Sequence, residues 1–94
     1  MATLYAIRSD MGLAAFCMGN GIIVGVDEKN GRYNGTYTEK AGRIQLNVTM
    51  SPSGAAEVPL TADWPSSFAS GAPQQVMIDG KPVSVTFEKV GDVP

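Results

Sequence analysis

A chain of 94 residues suffices for one domain and not for two, since halves of that size could not bury adequate cores. Its 44 % hydrophobic and 17 % charged content lies between that of disordered chains, which are more polar, and of membrane spans, which are more apolar. A net charge of −2 with seven scattered Lys and Arg leaves no basic stripe for nucleic acid, and the absence of histidine excludes Ser-His-Asp and Cys-His catalysis.

The first element is read from Thr3 to Arg8, where β-branched and aromatic residues mix, and Ser9-Asp10-Met11-Gly12 supplies turn chemistry. Leu13 to Met18 returns as a second strand. Gly19-Asn20-Gly21 reverses the chain again into a third, Ile22 to Glu28. Asn30-Gly31 predicts a type I′ hairpin, because that turn needs positive φ at both central positions. Beyond it Arg32 to Glu39 sets Tyr33, Gly35 and Tyr37 on one face at period two, and the glycine between two tyrosines leaves a gap and lets the strand bend.

Ala41-Gly42 is the next turn. Arg43 to Met50 then alternates throughout, with Ile44, Leu46, Val48 and Met50 inward and Arg43, Gln45, Asn47 and Thr49 toward water. Burying each of those apolar side chains contributes roughly 1.5–3 kcal/mol before entropy. Glu57 to Thr61 predicts a short strand interrupted by Pro59, and Ala62 to Pro73 predicts a loop with a helical turn at Ser66 to Ala69. The last hairpin pairs Gln75 to Ile78 with Val83 to Lys89 across Asp79-Gly80-Lys81, placing Val83, Val85 and Phe87 on one face.

No window shows a helical i, i+3, i+4, i+7 apolar pattern, and short strands at hairpin spacing point to one all-β domain over residues 1–94. The expected architecture is an antiparallel β-barrel, or a barrel-like curled sheet, of about seven to eight short strands. Its interior is expected to hold Tyr33, Tyr37, Ile44, Leu46, Val48, Met50, Val85 and Phe87.

Chemistry-bearing residues are few. One cysteine and no histidine leave no ligand set for a structural metal, so neither metal nor cofactor is expected, and no enzyme activity. Asp27-Glu28 is the only adjacent acidic pair, and neighbouring strand residues point to opposite faces, which reads as a solvated approach to a turn. Cys17, in an apolar run without a cationic neighbour, reads as a buried inert thiol. Trp64 either plugs the open end of the barrel or anchors a partner. A lone cysteine, which precludes an internal disulfide, and a start without a signal-peptide pattern point to the cytoplasm, and no stretch is long and apolar enough to cross a bilayer as a helix.

Leu4-Tyr5-Ala6-Ile7, the glycine-rich strand Gly21 to Val26, Tyr33-Asn34-Gly35-Thr36-Tyr37 and the alternating Ile44-Leu46-Val48 strand occur in an order that resembles the GrlR-like family. The closing segment Val76 to Val90, with its Asp79-Gly80-Lys81-Pro82 turn, is similar to that family's final hairpin. The resemblance implies a lipocalin-like barrel and a non-enzymatic regulatory role, the named member being a negative regulator of type III secretion. It also makes this chain short, with an abbreviated middle at Ser51 to Ala62, and the alternating Glu and Asp run through which the regulator engages its partner is absent.

Two functions therefore stand side by side: a binding or regulatory protein acting by protein contact, its partner unidentified, and a carrier of a small apolar, lipid-like molecule inside the barrel. If so short a chain leaves its barrel incompletely closed, its edges would pair in a homodimer; the alternative is that the strands Leu13 to Met18 and Gly21 to Val26 are central and already buried. Leu13, Phe16, Ile22, Val24 and Trp64 are the expected interface residues.

Overall fold

The computed structural model describes residues 2–10, 12–54, 56–66, 71 and 73–93. Eight strands follow in chain order: β1 (Ala2–Ser9), β2 (Gly12–Gly19), β3 (Ile22–Asp27), β4 (Arg32–Lys40), β5 (Arg43–Ser51), β6 (Val58–Pro65), β7 (Pro73–Ile78) and β8 (Lys81–Val93). Each pairs antiparallel with its predecessor, and β8 returns to β1, so the sheet closes into a barrel. Among the described residues no helix is long and apolar enough to cross a membrane.

Turn chemistry explains the meander. Asn20-Gly21, Ala41-Gly42 and Asp79-Gly80 hold positive φ at two successive positions, 53° and 77°, 54° and 78°, 50° and 80°. That is the type I′ geometry, whose twist matches the strands it joins. Asn30-Gly31 departs from the expected type I′ turn: Asn30 has φ 63°, while Gly31 is not left-handed. The Asn30 amide donates to the Asp27 carbonyl at 3.1 Å, so a type I turn precedes a left-handed Asn30 in a three-residue loop. The Asp27 carboxylate accepts the amides of Lys29 (2.9 Å) and Gly31 (2.8 Å), which selects this loop over the tighter turn.

Of the two expected forms, a barrel and a barrel-like curled sheet, the closed barrel of eight strands is the one formed, so among the described residues no open edge is left to pair. The β1–β8 ladder runs from Ala2↔Val93 to Ser9↔Val85, with a shift between Leu4 and Tyr5 that leaves Val90 outside the register. This extends β8 past the predicted Lys89. The expected loop from Ala62 is also strand as far as Pro65, because Leu46, Gln45, Ile44 and Arg43 of β5 offer Ala62, Asp63, Trp64 and Pro65 a continuous ladder. Most of the predicted helical turn at Ser66 to Ala69 lies outside the described residues. Closure is weakest at β6–β7, where only Ala62↔Ile78 and Asp63↔Met77 pair. There the Asp79 amide donates to the Thr61 carbonyl at 2.8 Å, and the Asp79 carboxylate accepts the Thr61 amide at 2.8 Å.

Inside, Met18, Ile23, Leu46, Val48, Trp64, Val76, Val85 and Phe87 form the buried core. The alternation of β5 holds: Leu46 and Val48 are buried, Ile44 packs on the core, Met50 is half-buried, and Gln45, Asn47 and Thr49 are exposed. Gly35 faces Val48 so closely that an added Cβ would overlap the Asn47 carbonyl and the Val48 Cα. β5 backbone, rather than a cross-strand side chain, therefore fills the gap between Tyr33 and Tyr37. Cys17 is half-buried and paired with Leu4 and Val24, on the outer side of β2 rather than in the core.

Candidate ligand-binding site

Period-two alternation sends Thr3, Tyr5 and Ile7 of β1, Phe16 and Met18 of β2, and Tyr37 and Glu39 of β4 toward the barrel axis. With Ile44, Trp64 and Phe87 they bound a cup of about 310 Å³ at the end where the β2–β3 and β4–β5 turns lie. Trp64 and Phe87 form one wall, with ring centroids 5.1 Å apart and planes at 53°. Thr3, Asn20, Glu39 and Ser66 provide the polar groups around it. The rim is held from below and behind: the Thr3 hydroxyl donates to Asp92 at 3.0 Å, and the Ser66 amide to the Gly42 carbonyl at 2.9 Å. Glu39 takes part in none of the ion pairs Arg8–Glu88, Arg43–Asp63 and Lys89–Asp92.

The opposite end is tied by polar contacts. Phe16 crosses Gly25 to meet Tyr33 edge-on, with centroids 5.2 Å apart and planes at 61°, because Gly25 stands between them in the ladder and carries no side chain. The Tyr33 hydroxyl donates to Asp27 Oδ2 at 2.8 Å. That hydrogen bond, with the amides of Gly31 and Lys29, holds the Asp27 carboxyl below its ordinary range. Partial burial, followed by the hydrogen bond to the neighbouring carboxylate, pushes the Tyr33 phenol up to about 12. Glu28, on the other face, accepts the Leu13 amide at 3.3 Å, so both acids of the pair brace turns.

The residues expected inside divide between these ends. Tyr37, Ile44 and Phe87 line the cup, Tyr33 is inward at the tied end, and Leu46, Val48 and Val85 fill the core between, with Met50 paired to Tyr33. The five expected interface residues do not share a surface. Leu13, Ile22 and Val24 are exposed on the outer wall, whereas Phe16 faces inward and Trp64 is buried in the cup wall at 6 % exposure. The physical reason for Phe16 is register: it stands opposite Tyr5 and Gly25, both on the inward side.

Tyr5, Ile7 and Glu39 were not singled out in the sequence as site residues. The first two follow from alternation within Thr3 to Arg8, and Glu39 from continuing the row Tyr33, Gly35, Tyr37 by one step. A second hollow of about 300 Å³ lies on the outside along the short β6–β7 seam, bordered by Gln45, Asn47, Thr61 and Met77. Among the described residues no three His, Cys, Asp or Glu gather as metal ligands would. The chain matches no protein-family model, and neither a curated protein nor a solved structure matches it.

Proposed function

We propose that this is a non-enzymatic binding protein whose barrel holds a small, mainly apolar molecule. One observation carries the reading: a hollow of about 310 Å³ on the axis of a closed barrel, walled by Tyr5, Phe16, Tyr37, Trp64 and Phe87. Ligand sites span roughly 300–1,000 Å³, and a hollow at the lower limit takes on the order of ten non-hydrogen atoms at about 30 Å³ each. A chain without histidine supports binding without chemistry. The up-and-down meander of eight strands supports a lipocalin-like use of the interior, the resemblance to the GrlR-like family supports a regulatory outcome, and the lone Cys17 supports the cytoplasm as the setting. Titration with the neutral fluorophore 1-methylnaphthalene, eleven non-hydrogen atoms in size, is expected to saturate at one site, and Ile44→Trp, which fills the cup, to abolish it. A signal that never saturates, or one indifferent to Ile44→Trp in a folded variant, overturns the reading.

Protein contact is a second reading, favoured by the outer wall. Leu13, Ile22, Val24 and Val26 are 45 %, 55 %, 44 % and 52 % exposed on adjacent strands β2 and β3, a contiguous apolar face. Pairing aligns Glu88, Ala6, Ala15, Val26 and Arg32 in one row across β8, β1, β2, β3 and β4. Glu88 and Arg32 lie on opposite walls of the eight-stranded barrel, so a two-fold contact through β2 and β3 would be apolar, the same patch meeting itself on a second copy of this chain. Sedimentation equilibrium at high micromolar concentration is expected to give a dimer that survives high salt and that Val24→Lys weakens. A monomer at that concentration rejects it.

A further inference from the structure

The charge inside the cup is one-sided. Among the described residues of its lining, Glu39 is the only Asp, Glu, Lys or Arg. All seven Lys and Arg lie within the described residues, and none of them lines the hollow. The two nearest in sequence, Lys40 and Arg43, pair with each other across the β4–β5 turn on the outer side, where Arg43 holds Asp63. A ligand entering the cup thus meets five aromatic rings and, in the lining, one carboxylate, while Asp92 stands behind Thr3 with its charge paired to Lys89.

Resting on the small-molecule reading, we infer that the cup selects organic cations: a compact aromatic or aliphatic body carrying an ammonium group that lodges against Glu39. Two interactions point the same way. The electron-rich faces of Trp, Tyr and Phe attract a cation within about 6 Å of the ring centroid. A carboxylate within hydrogen-bond reach of an ammonium makes a charge-assisted bond, stronger than a neutral one. A fatty acid or other anion finds the reverse, since its own carboxylate would face Glu39 with no Lys or Arg in the lining to offset the repulsion.

Three compounds of one shape separate the terms. Isothermal titration with 1-naphthylmethylamine, 1-naphthalenemethanol and 1-naphthoate is expected to rank them in that order, the ammonium binding about tenfold more tightly than the alcohol, a typical step for one exposed charge contact plus ring attraction. The preference is expected to shrink as salt rises, because Glu39 is at the solvent-exposed rim. Glu39→Gln is expected to bring the ammonium most of the way to the alcohol, and Glu39→Asp to retain part of the preference. Alcohol binding without an ammonium preference, or a full preference that survives Glu39→Gln, overturns the inference alone. Failure of all three compounds and of the neutral fluorophore overturns the binding reading beneath it.

Discussion

At the end of the barrel that carries the β3–β4 loop, Asp27 accepts hydrogen bonds from Lys29, Gly31 and Tyr33, and the Tyr33 ring locks edge-on against Phe16. At the other end Glu39 stands at the rim of a cup, in no ion pair among the described residues, above walls of Trp64 and Phe87. Both acids continue an apolar strand by a step or two, yet one is consumed in holding a loop and the other is left facing a hollow. The difference follows from what each acid has beside it: Asp27 sits at a loop whose amides of Lys29 and Gly31 need an acceptor, whereas Glu39 adjoins a type I′ hairpin and, among the described residues, accepts none of its amides.

The comparison is broken most severely at the wall of the cup. Phe87→Ala removes a buried ring that the cup wall rests on and is expected to cost about 3–5 kcal/mol, a large part of the stability of a domain this size. Urea unfolding measures it, and a loss below about 1 kcal/mol would show that the ring is not the buried wall described. Next in size is Asp27→Ala, expected to cost about 2 kcal/mol by freeing the amides of Lys29 and Gly31 and the Tyr33 hydroxyl.

Tyr33→Phe is smaller, roughly 1 kcal/mol, since the hydrogen bond is made to a charged group but in a half-open site. It also carries a pH signature. The Tyr33 phenol is raised from its ordinary 10 to about 12, so the stability it contributes is whole below about pH 10 and is lost as pH rises toward 12. Asp27, held low, contributes stability that is present above its unfolded value and is lost as pH falls through its folded one. Thermal melts of Tyr33→Phe are expected to lose that alkaline decline, and melts with an unchanged decline would show that another group causes it. The smallest effect belongs to the cup: Glu39→Gln is expected to change stability by no more than about 0.5 kcal/mol. A larger loss would place Glu39 with Asp27 as a structural acid and erase the contrast between the ends.

Five of the strands are legible nearly to the residue, from Thr3–Arg8 through Arg43–Met50, because each is bounded by a glycine-bearing turn and alternates with period two. The segment Ala62–Pro65 reads as loop because proline and small polar residues lower its intrinsic preference, and it becomes strand only because β5 presents an unfilled ladder. In the cup, Tyr37, Ile44 and Phe87 are legible as interior residues from alternation alone. That they share a hollow with Trp64 and Glu39 is not, since alternation assigns a side of the sheet and says nothing of which end of the axis a residue reaches.

By its own local chemistry, then, the sequence determined that this protein is an antiparallel meander, where most of its turns fall and which side chains face in, since positive-φ turns and two-residue periodicity act within a few neighbours. Only the tertiary structure decided that β8 pairs with β1, that Phe16 and Trp64 leave the outer surface, and that one end stays hollow while the other is tied. Those outcomes depend on register summed around the whole barrel: a residue's height along the axis is set by the strand it pairs with, and the final pairing joins residues more than eighty positions apart, as in Ala2↔Val93.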